Sequence, residues 1–125
     1  MNDSNISVIR LHRLLMVTMP AEPDDATISA LQEKVLAAME HSEATGVVLD
    51  ISAVATLDSF FARTVTETAH MVKLMGGRTI IAGMQPAVAV TATQIGLTLN
   101  NLETALNVER ALEMLEKNGS AHSLL

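Results

Sequence analysis

The run Gly46-Val47-Val48-Leu49-Asp50-Ile51, followed by Val54-Ala55-Thr56-Leu57-Asp58-Ser59-Phe60-Phe61, decides how this chain is read. The first part is a short apolar strand. The second sets a carboxylate beside a hydroxyl at the start of an amphipathic helix, expected from about Ser59 to Met75 with Phe61, Val65, Thr68/Ala69, Val72 and Met75 on one face. A helix start exposes backbone N–H groups with no partner in the helix, and the aligned peptide dipoles make that end partly positive. A serine placed there is either a cap or a position where an added phosphate is electrostatically at home. From spacing alone, either Asp58 or Ser59 is the cap.

Glycine and proline punctuate the chain on both sides of this unit. Residues 6–11 and 14–19 read as two strands of a hairpin turning at His12-Arg13. Pro20 and Pro23 stop the second strand. Asp24, Asp25 and Thr27 are candidate caps for a helix through about Glu43, with Ile28, Leu31, Val35 and Ala38 on one face and Gly46 as its C-terminal glycine. After the central helix, Gly76-Gly77 leads into a strand over 78–82. A turn from Gly83 then puts Pro86 at the first position of a short helix running to Ile95 and closing at Gly96. A weak strand near 102–104 precedes a last helix over 108–117, capped by Asn107, with Val108, Ala111, Leu112 and Leu115 inward. Asn118 to Leu125 is expected to fray. Strand–helix alternation over 46–117 implies βαβ units. The expected architecture is one α/β domain over 1–125 (core about 6–117), a mixed sheet of about five strands with about four helices.

Composition removes most function classes. The 125 residues contain no cysteine, so disulfides, thiol catalysis and Cys-based zinc sites are excluded. The four histidines (His12, His41, His70 and His122) show no ligand spacing, and no metal or cofactor is expected. With 8 Lys+Arg against 14 Asp+Glu the net charge is −6, and Phe60 and Phe61 are the only aromatic residues. Nucleic-acid binding requires a basic surface, usually with stacking platforms, and an acidic chain also suits an anionic membrane poorly. No apolar run approaches the roughly 20 residues that span a bilayer, and Met1 to Asn5 lacks a signal-peptide pattern, so a cytoplasmic, soluble protein is expected.

Enzyme signatures fail individually. Gly76-Gly77 precedes a strand, not a helix, and no G-x-G-x-x-G or Walker motif occurs. Ser59 lies outside any G-x-S-x-G elbow, and His70, eleven residues along the same helix, is about 16 Å away. Asp24-Asp25 is explained by capping. The eight methionines fall mostly on apolar stripes, where they fill core. No catalytic residues are expected, and the reading is a switch. A phosphoryl group adds about −1.5 to −2 charge. Beside Asp58 and Asp50 it would make the local surface strongly anionic, and a partner docked near Phe60 would lose complementarity.

The residues collected above resemble a STAS domain, the sulfate-transporter and anti-sigma-factor-antagonist family, and within it the small single-domain subunits of the bacterial stressosome. The matching parts are Gly46-Val47-Val48-Leu49-Asp50, Asp58-Ser59-Phe60 with Ala62-Arg63 and Val65, and Lys73-Leu74-Met75-Gly76. Gly83-Met84-Gln85-Pro86-Ala87-Val88-Ala89-Val90-Thr91 and Leu102-Glu103-Thr104-Ala105-Leu106 match as well, in the same order. The resemblance implies that Ser59 is the phospho-acceptor, with Asp58 its acidic neighbour and Thr56 a second candidate. It implies an RsbT-like serine kinase as the partner, a PP2C-like phosphatase that reverses the step, and co-assembly with RsbR-like STAS paralogues in a large oligomer that holds the kinase until phosphorylation releases it. Two other readings stay open: a free anti-sigma-factor antagonist, and a STAS module binding a nucleotide or small ligand. The loop Pro20–Asp25, with Asp24 and Asp25, and the start of the Ser59 helix are expected to share one kinase-docking face.

Overall fold

A computed structural model describes residues 6–95 and 102–123. Along the chain run β1 (Ser7–Leu11), β2 (Leu14–Thr18), α1 (Asp25–Ser42), β3 (Gly46–Asp50), α2 (Ser59–Leu74), β4 (Arg78–Ala82), α3 (Pro86–Gln94), β5 (Glu103–Ala105) and α4 (Val108–Ser123). The five strands form one mixed sheet in the order β1-β2-β3-β4-β5. β1 and β2 are an antiparallel hairpin, and β2 through β5 are parallel. The hairpin turn uses His12 at φ 57°, as a two-residue turn between twisted strands requires.

Two apolar layers follow from strand alternation. Leu15, Val17, Val47, Leu49 and Ile81 face a core shared with Ile28, Leu31, Val35 and Met39 of α1 and Phe61, Val65 and Val72 of α2. Val48, Ile80 and Ala82 face the opposite side, where Ala111 and Leu115 of α4 cover them. Between α1 and α2, Thr68 Oγ1 donates to the carbonyl of Thr64 at 2.7 Å and accepts from Gln32 Nε2 at 3.1 Å, so the buried hydroxyl is satisfied.

Several boundaries differ from those read in the sequence. Gly46 is not the C-cap of α1. That role falls to Glu43, in the left-handed region at φ 56°, while Gly46 opens β3. Its glycine serves close packing: a Cβ there would lie 2.9 Å from Leu14 Cδ2 and 3.1 Å from Leu115 Cδ1. Met75 is exposed rather than on the inward stripe of α2, because the helix ends at Leu74 and Met75 is its C-cap. β5 begins one residue later than expected, and α4 continues past Lys117 to Ser123, through residues expected to fray. Gly96, expected to close α3, lies outside the described residues.

Arg78 and Glu103 tie β4 to β5 through a two-pronged contact. Arg78 Nε donates to Glu103 Oε2 at 2.9 Å, and Nη2 donates to Oε1. These hydrogen bonds hold the Glu103 carboxyl below its ordinary value, with burial opposing. A carboxyl whose folded value is depressed stabilises the fold above its unfolded value, and the contribution is lost as pH falls through the folded one. With the two side chains 33 % and 41 % exposed, the pair contributes at most about 1 kcal/mol after solvent screening. The gap in thermal midpoint between wild type and Arg78→Met should therefore be present near about pH 7 and narrow as pH falls through the depressed Glu103 value. A gap independent of pH would assign the Arg78 effect to packing alone.

Candidate functional site

β2, β3 and β4 run parallel and finish level, Thr18 beside Asp50 and Asp50 beside Ala82. The segments leaving them therefore gather at one end of the sheet. Ala55 N donates to the Ala21 carbonyl at 3.1 Å, joining the loop before α1 to the loop before α2. Gln85 Nε2 donates to the Ser52 carbonyl at 2.8 Å, adding the segment before α3. Gly83 lets that segment approach: at φ 81°, a Cβ would sit 2.9 Å from Ser52 Cβ. α1, α2 and α3 all start at this end.

Asp58, not Ser59, caps α2. Its backbone is extended (φ −112°, ψ 177°), and Oδ1 accepts from Phe61 N at 2.8 Å. Ser59 is the first helical residue and is exposed. Among the described residues its hydroxyl makes no hydrogen bond. The ambiguity in the Asp58-Ser59 pair is thereby divided into two jobs. The carboxylate secures the helix end, and the hydroxyl stands uncommitted at the positive end of the dipole.

The other anticipated residues separate in the same way. Asp24 caps α1, accepting from Thr27 N at 2.8 Å, and this backbone hydrogen bond lowers its carboxyl below the ordinary value. Asp25 occupies the first turn and is exposed. Asp50 is half-buried at the end of β3, and Oδ1 accepts from Ser52 N at 2.9 Å. Phe60 is half-buried against the α1–α2 core.

Beside the acceptor position lies an open depression of about 240 Å³ lined by Pro23, Ile28, Thr56, Leu57, Asp58 and Phe61. It joins the start of α1 to the start of α2, the two segments expected to share a face. Asp50 does not line it. In the sequence Pro23 reads as a strand stop within the expected docking loop and Ile28 as a core-facing helix residue, and nothing local marks Ile28 or Leu57 as a groove wall. Exposed Glu22, Asp24, Asp25 and Asp58 belong to the segments at this rim, which is therefore acidic. Among the described residues no group of three or more His, Asp or Glu side chains is placed to hold a metal, and no helix is long and apolar enough to cross a membrane.

The sequence profile of the STAS domain matches residues 5–111. The chain belongs to the STAS domain family. This STAS domain is similar to RsbT co-antagonist protein RsbRD of Bacillus subtilis, 29 % identical over 97 residues. The match covers 78 % of this chain and 35 % of that relative, so the chain spans about a third of the length of that curated protein. Among solved structures it is similar to a variant of RsbS from Moorella thermoacetica, with a TM-score of 0.82 and 28 % identity over 92 % of this chain and 97 % of that one. It is likewise similar to a chain from the molecular architecture of the stressosome, described as a signal integration and transduction hub (TM-score 0.79, 29 % identity, 90 % and 98 % covered). The anti-sigma factor antagonist SpoIIAA in its unphosphorylated form shares the fold at 17 % identity and TM-score 0.74. Its fold is thus the one seen in RsbS, in the stressosome chain and in SpoIIAA.

Proposed function

We propose that this STAS domain is a non-catalytic subunit of a stressosome-like assembly that holds an RsbT-like serine kinase and releases it when Ser59 is phosphorylated. The observation that carries the reading is the division of labour at the start of α2: Asp58 caps, so the exposed Ser59 hydroxyl is free to be modified without opening the helix. In the transfer the Ser59 oxygen bonds to the γ-phosphorus of ATP, ADP leaves, and the hydroxyl proton is lost. The product carries about −1.5 to −2 charge beside Asp58, on a rim already acidic. Helix α2 tolerates that charge through its dipole, whereas a partner fitted to the unmodified surface is repelled. Thr56, exposed on the same groove, is the secondary acceptor. RsbR-like STAS paralogues are the assembly partners in this reading, a PP2C-like phosphatase reverses the mark, and the setting is cytoplasmic. The similarity to RsbS and to a stressosome chain supports the assembly part.

Incubation with an RsbT-like kinase and Mg-ATP, followed by mass spectrometry of wild type and Ser59→Ala, tests the switch. One phosphate on Ser59, absent from the variant and accompanied by kinase release, is expected. An active kinase that binds but transfers nothing would remove it. The docking face is probed at Asp25 rather than Asp24, whose cap confounds the result. Asp25→Ala should weaken kinase capture, and unaltered capture would exclude the loop.

A further inference from the structure

We infer that Arg63 is the internal counter-charge for a phosphoryl group on Ser59, closing over it from one turn along α2. The inference rests on Ser59 being the phospho-acceptor and adds the residue that receives the mark. Ser59 and Arg63 stand four residues apart on α2, and both are exposed. Residues so spaced share a helix face, with Cβ atoms about 5–6 Å apart. Helical side chains lean toward the N-terminus, which carries the guanidinium toward Ser59 and away from Glu67, one turn the other way. An anion four residues before a cation is also the stronger order for such a pair, because it agrees with the helix dipole.

Arg63 is uncommitted. Among the described residues it makes no hydrogen bond and no ion pair, with Glu67 or with any other side chain. By contrast, Arg10 donates to the His12 carbonyl and Arg78 to Glu103. The surroundings of Arg63 isolate it further. Across the loops before α1, α2 and α3 and the first two turns of those helices, it is the single Lys or Arg. Glu22, Asp24, Asp25 and Asp58 of the same region are exposed. A phosphate on Ser59 therefore has one cationic side chain on its own helix face.

The backbone leaves room for that partner. Phe61 N already donates to Asp58 Oδ1, and Ala62 N to the Asp58 carbonyl. Two of the N–H groups that could cradle a phosphate are thus taken before one arrives. A guanidinium is always charged and presents a planar fork of donors that fits phosphate oxygens in pairs. The contact also withdraws the one cation of this region from the surface. A single modification then changes the face at two residues: a partner fitted to the unmodified surface loses a positive contact as it meets a new negative one.

Phosphoserine genetically encoded in place of Ser59, without a kinase, tests the contact in three backgrounds: wild type, Arg63→Gln and Arg63→Lys. The readout is the second ionisation of the phosphate, followed by phosphorus NMR at low salt, with circular dichroism to confirm folding. Glu22, Asp24, Asp25, Asp58 and Glu67 also bear on that group and are the same in all three proteins. A cation at the phosphate favours its dianion. The titration midpoint should therefore rise by about 0.3–0.6 pH unit in Arg63→Gln and return most of the way in Arg63→Lys. In about 1 M salt the difference should shrink. Coincident midpoints in wild type and Arg63→Gln would overturn the clamp and leave Ser59 as the acceptor. If Arg63→Gln instead weakened capture of an RsbT-like kinase by the unmodified chain with no change in midpoint, Arg63 would be a docking residue and the clamp would again fall. A kinase that transfers nothing to Ser59 is a different failure, removing the reading on which the clamp stands.

Discussion

Phe61→Ala should lower the unfolding free energy by about 3–5 kcal/mol, the largest stability loss expected from a single change near the site. The ring is 2 % exposed and belongs to the core between α1, α2 and the sheet. Truncation removes its transfer free energy and leaves a cavity where helix packing resists collapse. A domain of this size is typically stable by about 5–15 kcal/mol, so a large part of the margin would go. The groove beside Ser59 would lose a wall as well, because Phe61 lines it. Phe60→Ala is the control: half-buried at the core edge, it should cost clearly less. Urea titration of the three proteins measures both. A Phe61→Ala loss below about 1 kcal/mol would mean that the α1–α2 junction closes without the ring.

The second large effect lies in binding and should leave the fold nearly untouched. Ser59→Asp places a negative charge at the first position of α2, where the dipole favours it, and disturbs no hydrogen bond among the described residues. Its stability should stay within about 0.5 kcal/mol of wild type. Asp58→Ala, one residue earlier, removes the acceptor for Phe61 N and should cost about 0.5–2 kcal/mol. Under the proposed switch, affinity for the RsbT-like kinase falls at least about tenfold in Ser59→Asp, the consequence of like-charge opposition at a docked surface. Thermal melts and titration calorimetry on both variants separate the roles. If Ser59→Asp destabilises the domain as much as Asp58→Ala does, the serine is structural. If it leaves both stability and affinity unaltered, the switch reading fails.

Much of the architecture was legible because its signals are local. Apolar alternation and helical periodicity act within a few residues, so the strands at 7–11, 14–18, 46–50 and 78–82 and the helix starts at Asp25, Ser59, Pro86 and Val108 emerged close to their observed places. Asn107 reads as a cap from its position, and Arg110 N does donate to its side chain, at 2.8 Å. The errors fall where a residue answers to a distant neighbour. Gly46 looked like a helix terminator, yet its lack of a Cβ leaves room for the methyl ends of Leu14 and of Leu115, far along the chain. Glu43 ends α1 in a left-handed conformation that glycine would adopt more readily, so composition gave no sign of it.

The candidate site divides along the same line. By itself, the sequence determined that a hydroxyl and a carboxylate stand together at the start of a helix, that the chain is acidic and free of cysteine, and that its strands alternate with helices. Which of the two side chains caps the helix depends on rotamer and backbone angles at Asp58, which two polar neighbours leave degenerate until the loop before them is fixed. That loop is set by Ala21 and by Gln85, each more than thirty residues away in sequence from the group it bonds. The groove beside Ser59 likewise exists only because parallel strands end level and bring Pro23 and Ile28 against Leu57 and Phe61. Contacts of that range come from sheet order and register, so only the tertiary structure could place them.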